Sequence, residues 1–232
     1  MTDFVFAPPA TTSLSVRDSV QRFAVRRIFC IGRNYAAHVR EMGGDPGRQP
    51  PVFFNKAAWH VLHGGATMPY PPQTSDFHHE VELVAAIGKS AFRIRPGQAN
   101  DCIWGYCCGL DMTRRDLQGL AKTDGMPWSL AKDFEGGAVL GELAPAADIG
   151  HPAAGAIMLT VNGEERQRAD LRDMIWTVPE IVAQLSQHYH LQPGDLVYTG
   201  TPEGVGPVDP GDVLQGSVEG VGSVELVLGA PE

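Results

Sequence analysis

Long hydrophobic runs and paired cysteine motifs are missing from this sequence. No apolar segment of the 232 residues is long enough to span a bilayer, and the N-terminus has no basic stretch followed by an apolar core. We therefore expect a soluble, cytoplasmic protein without a membrane partner. Cys30, Cys102, Cys107 and Cys108 form no two matched Cys-x-x-Cys pairs, which argues against a structural zinc site and favours buried, reduced thiols.

Basic residues are also scarce. The chain has 18 Lys and Arg against 27 Asp and Glu, and its formal net charge is -9 with the signs interspersed. This balance argues against nucleic acid as a partner. Glycine and proline are plentiful without any repeat, which indicates turns and short strands rather than a helical bundle. The prediction is a mixed α/β, β-dominated fold with a few short helices.

The first half of the chain reads as short strands with two short helices. Residues 1–25 form a weakly patterned lead-in segment. Asn34 is a candidate cap for the first helix, and the stretch GGATMPYPP (64–72) leaves no room for regular structure. The second helix is expected from Thr113 onwards.

The second half carries stronger local signals. Asn162-Gly163 lies between two strand-like arms, which is typical of a β-hairpin. Thr177 and Glu180 have the spacing of a capping box and predict the start of a helix. The segment DLVYTGTP predicts a strand that ends in a tight corner, and the tail predicts a pair of strands.

Three carboxylates suggest a metal site. On a strand, Glu80 and Glu82 would project from the same face, while Val81 and Leu83 face the core. Two such carboxylates repel each other unless a cation lies between them, although a solvated edge strand would show the same spacing. Asp111 ends the next apolar strand, where it could be a third ligand or simply cap the following helix. Three carboxylates without a thiolate suit a hard divalent cation.

Two neighbouring histidines invite a zinc interpretation. The chain has no His-Glu-x-x-His spacing, however, and zinc held by neighbouring carboxylates alone would be unusual. On a strand, His78 would share the face of Glu80, while His79 would point the opposite way. We expect neither histidine to be a direct metal ligand.

A histidine and a lysine elsewhere offer further chemistry. His38 and Glu41 are three residues apart on a predicted helix, so the carboxylate can orient the imidazole as a base toward water. The alternative is a surface pair without a role. Lys132 is an isolated cation in a partly apolar segment, where a lysine is ordinarily just solvated.

Five sequence blocks carry a family resemblance. They occur in the order IGRNYAAHVREMG, HHEVELV, GLDMTRRDLQ, PWSLAKDF and DLVYTGTPEGVG. The chain resembles the fumarylacetoacetate hydrolase family from about residue 26 to the end, and in particular the short single-domain members that act on acylpyruvates. The resemblance implies one catalytic β-roll domain over residues 26–232, preceded by the lead-in of residues 1–25.

The resemblance also implies roles for individual residues. It implies one divalent cation, Mg²⁺ or Mn²⁺, with Ca²⁺ as a stand-in in crystals, and it implies a homodimer. The implied metal ligands are Glu80, Glu82 and Asp111. The implied water-activating pair is His38 and Glu41, with Lys132 as the active-site lysine, and the implied substrate contacts are Gln118, Thr201 and Arg33.

The implied reaction is the hydrolysis of a carbon–carbon bond in a diketo acid. Fumarylpyruvate, which yields fumarate and pyruvate in gentisate-type aromatic breakdown, is the substrate that the blocks favour. Where family members usually read Lys-Pro, this chain has Lys56-Ala57, and residues 135–141 also depart from the pattern, so the acyl group stays open. The alternatives are an oxaloacetate decarboxylase, a hydroxymuconate-type isomerase and a catalytically silent metal-binding protein.

Overall fold

The structure is a computed structural model that describes residues 3–231. Its strands, in chain order, are β1 Ser13–Ser15, β2 Arg22–Ala24, β3 Arg27–Gly32, β4 Val52–Lys56, β5 Val61–His63, β6 Ala66–Tyr70, β7 Phe77–His79, β8 Val81–Ile87, β9 Ile103–Asp111, β10 Thr113–Arg114, β11 Ala138–Leu140, β12 Ala144–Pro145, β13 Ala156–Val161, β14 Glu164–Asp170, β15 Asp195–Tyr198, β16 Gly206–Pro207, β17 Val213–Val218 and β18 Gly222–Pro231. Its helices are α1 Ala36–Glu41, α2 Arg115–Thr123, α3 Ser129–Lys132, α4 Ala146–Ile149 and α5 Val178–His188. The expected mixed, strand-dominated fold with short helices is confirmed.

Two main sheets build the domain. The larger sheet has the order β4-β3-β15-β8-β9-β11-β5, with β12 added beside β9, and the second has the order β14-β13-β17-β18-β6. A small sheet, β10-β7-β16, lies at the end of the larger one, and β1 pairs with β2. Neighbouring strands are mostly antiparallel, but β3–β15, β5–β11 and β6–β18 are parallel pairs.

Strand β8 lies at the centre of the packing, and all seven of its residues are buried. Val81, Leu83 and Ala85 face the core between the two main sheets, as the alternation predicted. Val84 and Ala86 face a second apolar cluster on the opposite side of the sheet. A strand covered on both faces has no solvated side, which already excludes the solvated edge strand considered for the acidic pair.

The lead-in segment contributes to this second cluster. Residues 13–24 form the β1–β2 hairpin, and Leu14 is fully buried in the same cluster as Val84. Val16 makes a parallel bridge to Leu143. The division of the chain into a lead-in of residues 1–25 and one catalytic domain stays a prediction.

Three local expectations were wrong. Asn34 does not cap α1, whose N-cap is Tyr35 without a side-chain hydrogen bond; the buried amide of Asn34 is used elsewhere. The stretch 64–72 contains the regular strand β6, which pairs in parallel with β18 and so gains a partner that local sequence does not reveal. Helix α2 begins at Arg115 because Thr113 is still paired with β7.

The predicted hairpin and capping box in the second half of the chain are confirmed. Asn162 and Gly163 turn the β13–β14 hairpin with positive φ values of 53° and 81°. The capping box of Thr177 and Glu180 opens α5. Among the described residues, no helix has the length and apolar character needed to cross a membrane.

Candidate active site and metal centre

The register of two strands brings three carboxylates together. Glu80 lies at the corner between β7 and β8, and its carbonyl accepts a hydrogen bond from the backbone N–H of Asp111 at 2.9 Å. Glu82 is on β8 opposite Gly109, and Asp111 is the last residue of β9. The antiparallel pairing of β8 with β9 therefore places the three acids at one end of the larger sheet.

These carboxylates fit a hard divalent cation. Glu80, Glu82 and Asp111 are buried, and each offers an oxygen within 4.8 Å of the others. Oδ1 of Asp111 is buried and accepts no hydrogen bond, although Lys56 Nζ is 2.8 Å away. Three carboxylate oxygens, one of which accepts no hydrogen bond, are ligands of the kind that Mg²⁺ and Mn²⁺ prefer.

The electrostatics of the trio show how closely the acids interact. Burial raises the pKa of Glu82 well above its ordinary value, and the charges of Asp111 and Glu80 raise it further. Burial would also raise the pKa of Glu80, but the charges of Lys132 and Arg115 outweigh burial and hold that pKa well below its ordinary range. A cation between the three groups would relieve the repulsion that Glu82 experiences.

Three basic side chains surround the trio. Lys132, at the end of α3, donates to Glu80 at 2.7 Å, to Asp111 at 2.8 Å and to Thr113 at 2.7 Å, so all three ammonium donors are used. Arg115 donates to Glu80 at 2.5 Å. The charges of Asp111 and Glu80 raise the pKa of Lys132 although burial opposes this. A lysine in such a segment is ordinarily solvated, but the side chain of Lys132 is buried and its charge is paired with Glu80 and Asp111.

The predicted base and its partner meet as expected. His38 is buried on α1, and its Nδ1 lies 3.0 Å from Oε2 of Glu41. The other carboxylate oxygen of Glu41 accepts the backbone N–H of Gly204 at 2.9 Å. Because Nδ1 is engaged by Glu41, Nε2 is the ring nitrogen left for a water or substrate. The pair is therefore not a free surface pair, since Gly204 anchors it to another loop.

One cavity gathers nearly all of the predicted residues. The cavity region spans about 640 Å³, part of which is open solvent. Eight of the nine predicted site residues line it: Arg33, His38, Glu80, Glu82, Asp111, Gln118, Lys132 and Thr201. Glu41 stands behind His38 as its hydrogen-bonding partner.

The three predicted substrate contacts differ in whether their polar groups are already hydrogen-bonded within the protein. Thr201 donates its hydroxyl to the carbonyl of Val81 at 2.9 Å and accepts from Gln167 at 2.8 Å, so its O–H is already used by the protein. The carbonyl oxygen of Gln118 accepts from Arg115 at 2.6 Å. Arg33 is exposed at the cavity edge.

Neither neighbouring histidine joins the carboxylates. His78 lies 2.8 Å from Asp76, and His79 bonds Gln167 at 3.1 Å on the far side of the strand. Burial lowers the pKa of His79 to about 4. Their opposite orientations follow the strand alternation that the sequence predicted.

Four residues of the site were missed from the sequence. Lys56, which precedes the departure from Lys-Pro at Ala57, is a fully buried partner of Asp111. Arg115 lies three residues before Gln118 on α2, a spacing that could have revealed it. Trp128 and Lys122 line the cavity without a sequence signal of their own.

Asn34 is a structural clamp next to the site. Its side-chain N–H groups donate to the carbonyls of Trp176 at 2.9 Å and Thr199 at 2.7 Å, and its carbonyl accepts from the N–H of Trp176 at 2.7 Å. These bonds tie the segment before His38 to two other loops. They also explain why the side chain is not available as a helix cap.

Comparison with known proteins identifies the family. A match to the family described as "Fumarylacetoacetate (FAA) hydrolase C-terminal" covers residues 27–228. The chain belongs to the fumarylacetoacetate hydrolase family. It is 50% identical over 180 residues to a fumarylpyruvate hydrolase of Ralstonia sp, an alignment that covers 78% of this chain and 93% of that protein. It is 36% identical over 207 residues to a mitochondrial oxaloacetate tautomerase of Homo sapiens, covering 89% and 93% of the two chains.

A solved structure confirms the family fold. The fumarylpyruvate hydrolase from Pseudomonas aeruginosa, in complex with Mn²⁺ and pyruvate, superposes with a TM-score of 0.96 at 50% identity, covering 98% of this chain and 100% of that one. The predicted β-roll of the fumarylacetoacetate hydrolase type is therefore correct. This family member is a hydrolase that acts on carbon–carbon bonds.

Proposed function

We propose that the protein hydrolyses an acylpyruvate, with fumarylpyruvate as the preferred substrate and fumarate and pyruvate as products. The observation that carries this proposal is the presence, in one cavity, of a carboxylate trio and of a histidine–carboxylate pair. The first suits chelation of a keto acid, and the second suits activation of water. The relatives of Ralstonia sp and Pseudomonas aeruginosa support the choice of acyl group.

Glu80, Glu82 and Asp111 would hold one divalent cation, Mg²⁺ or Mn²⁺. The Mn²⁺ in the Pseudomonas aeruginosa relative and the buried trio support this assignment. When bound, such a cation supplies a Lewis acid that offsets negative charge on the oxygens of the keto acid. Lys132 and Arg115 fix the orientation of the carboxylates, since each donates directly to the trio.

His38 would act as the general base. Glu41 holds Nδ1, so Nε2 takes a proton from water, and the resulting hydroxide attacks the distal acyl carbonyl. Collapse of the tetrahedral intermediate breaks the carbon–carbon bond and expels the pyruvate enolate, which is then protonated to pyruvate. Glu41 stabilises the imidazolium that forms, and Gly204 keeps Glu41 in place.

Lys132 would stabilise the developing enolate through its charge. Its three donors are committed to Glu80, Asp111 and Thr113, so direct donation to the substrate requires the release of one of these bonds. The electrostatic contribution needs no such release, because a buried cation acts over several ångströms where water is excluded.

Keto–enol conversion of oxaloacetate is the second candidate function. The tautomerases of Bos taurus and Homo sapiens, at 37% and 36% identity, favour it. Such a reaction moves a proton but needs no attacking water. The His38–Glu41 pair therefore supports hydrolysis over decarboxylation, whereas cleavage of the acylpyruvates is what separates hydrolysis from keto–enol conversion.

A substrate panel tests the proposal. Purified protein with Mn²⁺ is incubated with fumarylpyruvate, acetylpyruvate and oxaloacetate, while the enol absorbance and the products are followed. We expect pyruvate and fumarate from fumarylpyruvate at the highest kcat/KM. Enol loss from oxaloacetate without any carbon–carbon cleavage of the acylpyruvates would instead support the tautomerase.

The homodimer, the cytoplasmic location and a place in gentisate-type aromatic breakdown stay proposals. Large apolar side chains are exposed near the cavity, with Leu120 at 63%, Met126 at 60% and Leu130 at 74%, and a second copy would cover such a surface. Light scattering at micromolar concentration tests the dimer, and a monomer mass would contradict it.

A further inference from the structure

Two cations at the mouth of the cavity have no counter-charge. Arg33 and Lys122 both line the cavity and both are exposed. The ion pairs among the lining residues join Lys132 and Arg115 to the buried carboxylates. Across residues 3–231, no carboxylate lies within ion-pair distance of Arg33 or Lys122. We call Arg33, Lys122 and Trp128 the outer rim.

The ring of Trp128 lies beside Lys122 and beside the backbone that precedes Arg33. Lys122 Nζ lies 5.5 Å from the Trp128 ring centroid. On the Arg33 side, a Cβ placed on Gly32 would lie 3.3 Å from Cζ3 of Trp128, so the backbone leading into Arg33 runs against the same ring.

An aromatic wall connects the outer rim to the buried trio. Trp128 and Phe54 pack with ring centroids 5.7 Å apart, and Lys132 Nζ lies 5.2 Å from the Phe54 ring. The wall therefore has a cation at each end. This arrangement is complementary to a planar, unsaturated chain that carries a negative group at both ends.

The backbone of Arg33 is held in a costly conformation. Its φ is 61°, in the left-handed region that a non-glycine residue rarely adopts. The hydrogen bonds of Asn34 to Trp176 and Thr199 hold this segment in place. Strain of this kind persists where surrounding contacts enforce it, and it is concentrated at ligand sites.

The charge environment of Lys122 agrees with a missing anion. The cavity walls lower its pKa to about 8, and the nearby charges of Arg115 and Arg33 contribute to the shift. The lining includes four Arg and Lys side chains against three carboxylates, and a bound cation would widen that excess. A ligand carboxylate at the outer rim would offset this charge.

We propose that Arg33 and Lys122 form an anion subsite that receives the distal carboxylate of the acyl group, so that the cavity selects acylpyruvates whose acyl chain ends in a carboxylate. The proposal rests on the proposed function and deepens it. Lys122 is thus a specificity-determining residue, whereas His38 and the trio act on the same atoms in every acylpyruvate.

A plainer role for Lys122 makes a different prediction. It lies in the last turn of α2, where a cation interacts favourably with the helix dipole. In that role, its loss would lower the stability of the helix but would change the turnover of all substrates alike. Substrate preference therefore separates the two roles.

The test compares Lys122→Met with Lys89→Met. Methionine keeps most of the apolar stem and removes the charge, and Lys89 is an exposed lysine outside the cavity. We expect Lys122→Met to lower kcat/KM for fumarylpyruvate by roughly ten- to a hundredfold, the usual effect of losing a charged hydrogen bond, and to leave acetylpyruvate within about twofold. Lys89→Met should change neither. An equal loss for both substrates, or no loss for fumarylpyruvate, would overturn the subsite.

A binding measurement separates this proposal from the proposed reaction. The dissociation constants of both acylpyruvates are measured with Mn²⁺ in His38→Ala and in the double variant His38→Ala/Lys122→Met. We expect a roughly tenfold or greater loss for fumarylpyruvate alone, whether or not the wild type cleaves it. Binding that is equal in the two variants would overturn the subsite while the proposed reaction stands. Failure of both compounds to bind would overturn both.

Discussion

The charged groups at the inner end of the cavity, around the carboxylate trio, are buried and paired, whereas those at the outer rim are exposed and unpaired among residues 3–231. At the inner end, Glu80 and Asp111 are buried and each bonds to Lys132, which in turn uses every donor it has. At the outer rim, Arg33 and Lys122 are exposed and their charges are unpaired within the described part of the chain.

This difference suggests that the inner end carries out the reaction, whereas the outer rim selects the substrate. Buried groups held by hydrogen bonds and ion pairs have little freedom, so the inner end presents the same oxygens to any substrate. Exposed cations without partners keep their charge for a ligand. We infer that changes at the inner end abolish turnover, whereas changes at the outer rim alter which acyl group is accepted.

The largest effect is expected at the carboxylate trio. Glu82→Ala removes one of three oxygen donors, and activity should fall by roughly 10⁴-fold or more because several kcal/mol of charge stabilisation are lost. Glu80→Ala and Asp111→Ala should behave alike, with a folded protein by circular dichroism. Glu135→Ala is the matched control, since that carboxylate is 92% exposed. Turnover of Glu82→Ala near the wild-type rate would remove the trio from the mechanism.

The next largest effect belongs to the base. His38→Ala should lower acylpyruvate cleavage by about 10²- to 10⁴-fold, the usual contribution of a general base. Glu41→Gln should cost less, because a hydrogen bond to Nδ1 remains possible. Decarboxylation of oxaloacetate should survive His38→Ala better, since it needs no activated water. Equal losses in cleavage and in decarboxylation would argue against a water-activating role.

Lys56→Met should affect stability more than selection. Its ammonium lies 2.8 Å from Asp111, and both side chains are buried. Loss of one partner of a buried pair should lower the free energy of unfolding by about 3 kcal/mol. Thermal melts with and without Mn²⁺ check this, because a cation on the trio should restore part of the lost stability. An unchanged melting temperature would show that Asp111 does not need Lys56.

The smallest expected effect is a pH dependence at the outer rim. The pKa of Lys122 lies near 8, so the side chain is charged below that pH and loses its charge above it. The charged side chains that act on it are Arg115, Arg33, Glu80 and Lys132. The pKa of Glu80 is held well below its ordinary range by Lys132 and Arg115, and the pKa of Lys132 is raised by Asp111 and Glu80, so neither group titrates near pH 8.

The preference for fumarylpyruvate over acetylpyruvate should therefore fall, by less than about tenfold, as pH rises through 8. Lys122→Arg should remove this dependence, since a guanidinium does not titrate there. A preference that is flat with pH in the wild type would contradict the role of Lys122.

The residues of the site differ in how far the sequence alone could predict them. Glu80, Glu82 and Asp111 follow from strand alternation and from the end of an apolar strand, which are local patterns. Gln118 and Thr201 came only from the family resemblance, as did the active-site role of Lys132. Lys56 could not be predicted from local pattern, because its partner Asp111 is distant in the chain and lies on β9, a strand that does not pair with β4.

Tertiary contacts also explain the fold errors. Strand β6 exists because β18 supplies its hydrogen bonds, although its own segment is rich in glycine and proline. Asn34 has the residue type of a helix cap, yet Trp176 and Thr199 provide better-buried partners. In each case a distant segment outweighed a local preference.

The metal dependence of fumarylpyruvate cleavage tests the central claim most directly. Protein freed of metal by a chelator is titrated with Mn²⁺ or Mg²⁺, while bound metal and pyruvate release are measured together. We predict negligible cleavage without metal and full activity at about one ion per chain, with Glu82→Ala failing at every concentration. Full activity of the metal-free protein would contradict the account.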